Sequence, residues 1–172
     1  MRAKSTRATT SAVAPGAAPD AAPAGLRLAA FLPYRLNVAA ARVSEGLARL
    51  YGARFDLGIP EWRVIATCGE FGAVTATVIG RHAHMDKVKV SRAAARLEAR
   101  GLVRRAANPA DRREAYLALT PAGEAVHGEI AALAHAYLGE LTKDFSATER
   151  AEFDRLLDKL ARAAGKGIEP AT

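Results

Sequence analysis

Between Arg81 and Arg113 the chain carries ten Lys or Arg against three acids, Asp86, Glu98 and Asp111. That excess equals the +7 net charge of the whole 172-residue chain, so the remainder is balanced. Fixed cations gathered into one stretch are the means of holding a polyanion. The arginine fork also matches phosphate oxygens and the O6/N7 edge of guanine. A generally basic soluble protein would spread the surplus instead. No nucleophile–base set, phosphate-cradling glycine loop or pair of acids outside ordinary surface helices accompanies these cations, so an enzyme is not expected.

The element that must present them is a helix over residues 86–100. At 3.6 residues per turn, Val90, Ala94 and Leu97 share one side and Lys89, Arg92 and Arg96 another, with Ser91 and Lys87 near its edge and N-terminal end. The apolar side anchors the helix and the cationic side faces out. The first turns of such a helix enter a major groove, where Arg can fork onto guanine while Lys and Ser hold phosphates. The alternative is a solvated face in salt bridges, for which only Asp86 and Glu98 stand beside five cations.

Next come "LVRR" and "AYLAL", which alternate as strands do, joined by a loop containing "NPADRR". They read as a hairpin with Arg112 and Arg113 at its projecting tip, placed to enter a minor groove. Asp111 would be repelled by phosphate. It either pairs with a recognition-helix arginine and braces wing against helix, or simply favours the turn beside Pro109. Ahead of the cationic helix, Thr75 can cap a short helix running through His82. Thr75 and His82 complete the expected DNA-facing set.

Around this module the pattern is helical. Leu32, Leu36, Ala39, Val43, Leu47 and Leu50 form a stripe on a first helix that tolerates Pro33 in its first turn and ends near Gly52. Pro60 opens a second helix with Trp62, Ile65, Ala66 and Cys68 inward. Thr120-Pro121 opens a fifth, carrying Val126, Ile130, Leu133, Tyr137 and Leu141. Ser146 with Glu149 is a capping box for a sixth, carrying Phe153, Leu156, Leu157 and Leu160. The fold expected is mainly α: a winged helix-turn-helix lobe over 59–120, dimerisation helices over 26–58 and 121–172, and a disordered Ala/Pro-rich tail over 1–25. No stretch reaches the ~20 apolar residues of a membrane span. Prolines 15, 19 and 23 interrupt any signal-like run, and a single Cys suits a reducing cytoplasm.

"VSRAAARLEARGLVRR…NPADRREAYLALTPAG" resembles the MarR family of bacterial transcriptional regulators. The matching residues are Ser91-Arg92, Leu97, Asp111 and Arg113, and Leu119-Thr120 with Gly123, and "IPEWRVIATCGEF" resembles the family's second helix. The resemblance covers about residues 30–163. It departs in the alanines 93–95 and in Gly80. It implies an obligate dimer with recognition helices in successive major grooves, Arg113 as the minor-groove arginine and Asp111 as the brace.

The stripes on the first, fifth and sixth helices exceed what one small lobe can cover, so a homodimer is expected, with half-sites about one helical turn (~10 bp) apart in a near-palindromic operator. The resemblance further implies a small-molecule effector, an aromatic or phenolic acid, lodged between dimer helices and DNA-binding lobe. Tyr34, Asn37, Arg42, Trp62 and Arg63 are its candidate lining residues, with Trp62 otherwise core and the two arginines otherwise surface. No cofactor is expected. His82, His84 and Asp86 lack the spacing of a metal site, and Cys68 sits among apolar residues as an inert thiol would. The reading is a ligand-responsive repressor. Its rivals are a sequence-indifferent architectural DNA binder and a metal or redox sensor on the same fold.

Overall fold

The computed structural model describes residues 25–109, 111 and 113–165. The tail expected over 1–25 falls, but for Gly25, outside them, and so does Arg112. A 3₁₀ turn, Leu28–Ala30, precedes α1 (Leu32–Phe55), α2 (Ile59–Phe71), β1 (Val74–Thr75), α3 (Ala76–Ala83) and α4 (Lys87–Ala99). Strands β2 (Val103–Ala106) and β3 (Tyr116–Leu119) follow, then α5 (Pro121–Leu141) and α6 (Ala147–Gly165). The order is that of a mainly helical winged helix-turn-helix chain.

The described residues fall into two units that meet in sequence at Val38 and Ala39. The first holds the 3₁₀ turn and the opening of α1, with Leu26, Leu28, Phe31, Leu32, Tyr34 and Leu36 all exposed.

In the second unit the core gathers Tyr51, Val64, Ile65, Ile79, Val90, Leu97, Val103, Leu117 and Ile130, all essentially without solvent exposure. Each helix of the lobe turns one apolar face into it. On α2 that face is Val64, Ile65 and Cys68, while Trp62 and Ala66, expected inward, are half-buried. The sheet order is β1-β3-β2, antiparallel throughout, with Val74 opposite Leu117 and Val103 opposite Leu119. Sequence reading missed β1, because two residues carry no periodicity.

Local chemistry sets the boundaries. Thr75, Asp86 and Thr120 each accept a hydrogen bond from the backbone N–H three residues on, capping α3, α4 and α5. The Ser146–Glu149 box opens α6 in both directions. The first helix runs past Gly52, its expected end, because the Gly52 carbonyl still accepts from Asp56 N at 2.9 Å. Asp56, at φ +50, is where the chain turns away.

Two glycines answer close approaches. A Cβ on Gly80 would stand 2.9 Å from the Met85 carbonyl oxygen, so the departure at this position lets the turn between α3 and α4 close tightly. A Cβ on Gly123 would stand 2.0 Å from the Leu102 carbonyl oxygen, which explains why the Leu-Thr-x-x-Gly run ends in glycine.

Outside the lobe the stripes divide: Ile130 is buried, Leu47, Val126 and Leu133 pack against the core, and other residues face solvent. Val43 and Leu50 on α1, Leu138 and Leu141 on α5, and Phe153, Leu156 and Leu157 on α6 are exposed. Among the described residues, no helix is long and apolar enough to cross a membrane.

Candidate nucleic-acid interface

Burial of Val90, Ala93, Ala94 and Leu97 against the lobe fixes the rotation of α4, and Lys87, Lys89, Ser91, Arg92 and Arg96 are exposed on its other faces. Asp86 caps the helix: its Oδ1 accepts from Lys89 N at 2.8 Å, and Oδ2 lies 3.2 Å from Lys89 Nζ. The backbone hydrogen bond, with help from the ammonium, holds the Asp86 carboxyl below the usual carboxylate range. The acid nearest the front of α4 is therefore spent on the helix itself. Lys87 and Arg92 make no ion pair among the described residues.

The cations of α4 do not act alike. Arg96 Nη1 lies 3.2 Å from Oε1 of Glu61, a carboxylate with a side chain only 6% exposed. The other Glu61 oxygen accepts from Gly58 N at 3.1 Å, at the start of α2. Arg100, one residue beyond α4, donates to the carbonyls of Phe55 and Asp56 at 2.6 and 2.7 Å, where α1 ends. The C-terminal half of α4 is thus bolted to protein, and its N-terminal half is free for a ligand. Arg96, expected on the outward face, is exposed there and at the same time pairs with a buried acid.

The wing is ordered by its own hydrogen bonds. Asp111 N donates to Asn108 Oδ1 at 3.2 Å, and Asp111 Oδ1 accepts from Arg113 N at 2.9 Å. That is the turn role left open for Asp111. Among the described residues it makes no ion pair with an α4 arginine, so the expected brace is not the contact present here. Arg113 is exposed, and with Lys87, Ser91, Arg105 and Glu114 it lines a cleft of about 160 Å³ between wing and α4. The fold therefore brings the wing arginine and the front of α4 to one place. Arg105, on β2, also pairs with Glu98 at 2.9 Å.

His82 and Thr75 stand apart from that cleft. The Thr75 hydroxyl is committed to capping α3. The His82 ring packs 4.5 Å from the Phe71 ring in a second cleft, of about 390 Å³, with Trp62, Arg63 and His84. Arg63 donates to the Ala83 carbonyl at 3.1 Å, at the end of α3. Trp62 lies between Tyr51 and His127, with ring centroids 5.9 and 6.0 Å away. Of the five residues expected to line an effector site, the second cleft brings together Trp62 and Arg63. Arg42 is exposed on α1, and Tyr34 and Asn37 are exposed in the first unit.

Sequence reading missed Glu61, Arg100, Glu114 and Val88. Glu61 had a signal, since it lies three residues after Gly58, where an acid can answer the start of a helix. Val88, a 58% exposed aliphatic beside Lys87, had none. Cys68 is buried, and burial pushes its thiol up to about 11, a poor thiolate. Among the described residues, no three His, Cys, Asp or Glu are grouped to hold a metal.

The MarR family model matches residues 55–114, the stretch from the end of α1 through the wing. A probable transcriptional regulator of Pseudomonas aeruginosa is 29% identical, with a TM-score of 0.66 over 78% of this chain and 99% of that one. A MarR-family transcriptional regulator of Silicibacter pomeroyi is 26% identical, with a TM-score of 0.68 over 84% and 96%. BpsR of Bordetella bronchiseptica, whose DNA binding is regulated by 6-hydroxynicotinic acid, shares the fold at 22% identity, with a TM-score of 0.62 over 74% and 98%. No curated protein matches the chain. With a winged lobe under the family model, and a fold shared across nearly the full length of such regulators, this chain is similar to the transcriptional regulators of the MarR family.

Proposed function

We propose that the chain is a homodimeric, sequence-specific DNA-binding repressor that leaves a near-palindromic operator when a small aromatic or phenolic carboxylate binds. The observation that carries this reading is the cleft joining Lys87 and Ser91 of α4 to Arg113 of the wing, beside an Arg92 free of ion pairs. In it, the first turns of α4 enter a major groove, with Lys87, Lys89 and Ser91 on phosphates and Arg92 on guanine. Val88, exposed between the two lysines, meets a thymine methyl. Arg113, with Arg112 beside it in sequence, enters the adjoining minor groove.

Residues 59–120 form the DNA-binding lobe in this reading, and 26–58 with 121–172 pair two copies. The exposed apolar residues of α1, α5 and α6 support the pairing, since a monomer would leave them in water. The cleft between α2 and α3 supports the effector: Trp62 and Phe71 offer ring faces, and Arg63 a fork for a carboxylate. The aromatic acid that regulates BpsR is of this chemistry. A coupling of ~1–3 kcal/mol between that cleft and α4 is enough to release DNA.

Fluorescence anisotropy with a palindrome selected from a randomised library, set against a mixed-sequence duplex, tests the reading. A preference of at least ~10³ is expected. Equal affinity for both leaves only an architectural binder. An aromatic acid lowers the affinity, whereas zinc, chelator or peroxide leaves it unchanged; the reverse pattern replaces the effector with a metal or redox signal.

A further inference from the structure

On the face proposed to meet DNA, two acids make no ion pair among the described residues: Asp111, whose carboxylate is taken up by the wing turn, and Glu114. Glu114 lies at the base of the wing, half-buried, where its Oε1 accepts a hydrogen bond from the hydroxyl of Thr77 on α3. It borders the cleft of about 160 Å³ that holds Lys87, Arg105 and Arg113. It also borders a neighbouring cleft of about 260 Å³ that holds Arg81 and Lys87. The carboxylate thus borders two cation-lined recesses, as Lys87 and Ala76 also do, and its hydrogen-bond partner there is a neutral hydroxyl.

That placement is unexpected for a surface built to hold phosphate. A like charge opposes a phosphate at short range, and the cations on either side are those that would draw one in. Nor is Glu114 held in an ion pair with a neighbouring arginine, as Glu61 and Glu98 are. We infer that Glu114 is a negative specificity determinant: tethered by Thr77, its carboxylate keeps a backbone phosphate from settling between the two recesses. Phosphate contacts carry no sequence information, so weakening them leaves a larger share of the affinity to base contacts. The inference rests on the DNA-binding reading of α4 and the wing.

The test is a salt series of anisotropy titrations, using the full chain and a labelled mixed-sequence duplex about three helical turns long (~30 bp). Glu114→Gln, nearly isosteric, is expected to bind roughly fivefold tighter at low salt. Its log–log salt slope steepens by about one, the signature of one added phosphate contact. Glu114→Ala, which removes the hydrogen bond to Thr77 as well, gives the same slope if charge is the cause. Unchanged affinity and slope in Glu114→Gln overturn the inference, and so does weaker binding by both variants, which makes Glu114 a structural support. A changed base preference in library selection at an unchanged slope overturns it in favour of base reading. If the wild-type chain fails to bind the duplex at low salt, the DNA-binding reading falls first and takes the inference with it.

Discussion

The Arg96 guanidinium and the Glu61 carboxylate meet at 3.2 Å, tying the recognition helix to the front of α2 through an acid that is almost wholly buried. Arg96→Ala leaves that carboxylate without its counter-charge. The expected loss is about 1–2 kcal/mol, below the range for a fully buried pair because the arginine side is 65% exposed. Urea denaturation measures it. Unchanged stability together with a salt slope shallower by about one would make Arg96 a DNA contact first and a tie to α2 second.

Arg92, one turn nearer the front of α4, is expected to behave differently. Arg92→Ala should leave stability within about 0.5 kcal/mol, as exposed substitutions do. It should relax discrimination at one position of each half-site by ~1–3 kcal/mol. Competition binding with single-base operator variants reads this directly. A uniform loss across all variants would make Arg92 a phosphate contact.

Arg113→Ala should weaken binding most when the operator flanks are A·T-rich, where a narrow minor groove deepens the negative potential. Titrations on A·T-rich and G·C-rich flanks compare the two. The same loss on both would remove the minor-groove assignment.

Burial raises the Cys68 thiol from 9.0 to about 11, so the folded chain favours the neutral form. With the folded value above the unfolded one, this contribution to stability is complete below pH 9 and is lost as pH rises toward 11. Alkylation by iodoacetamide near pH 8, followed by mass spectrometry, should be far slower in the native chain than in urea. Equal rates would mean that the thiol is open to solvent.

Leu157 stands 38% exposed on α6. If α6 pairs with a second copy, Leu157→Glu buries a charge in the interface and should shift the chain toward monomer in sedimentation velocity at micromolar concentration. Half-site affinity would remain while cooperative binding to the palindrome is lost. A variant as dimeric as the wild type would place the interface elsewhere.

The helical register of this chain was legible from local chemistry. Thr75, Asp86, Thr120 and Ser146 announce helix starts because a short side-chain oxygen satisfies a backbone N–H within three residues, an interaction that needs no distant partner. The inward side of α4 was legible for a similar reason, since the spacing of Val90, Ala94 and Leu97 alone sets a face. Strand β1 was not, because its pairing partner β3 is remote in sequence.

By itself the sequence determined where the charge is concentrated, which helix carries it and which side of that helix packs. Which of those charges remain available was decided only by tertiary structure. A helical wheel places Arg92 and Arg96 on one face, but the wheel does not contain Glu61, and only the packing of α2 against α4 puts a buried carboxylate beside one arginine and not the other. Likewise Glu114 reads as an ordinary surface acid until the wing folds back and sets it among Lys87, Arg105 and Arg113. Electrostatic roles depend on distance through space and on desolvation, and neither is written in the local order of residues.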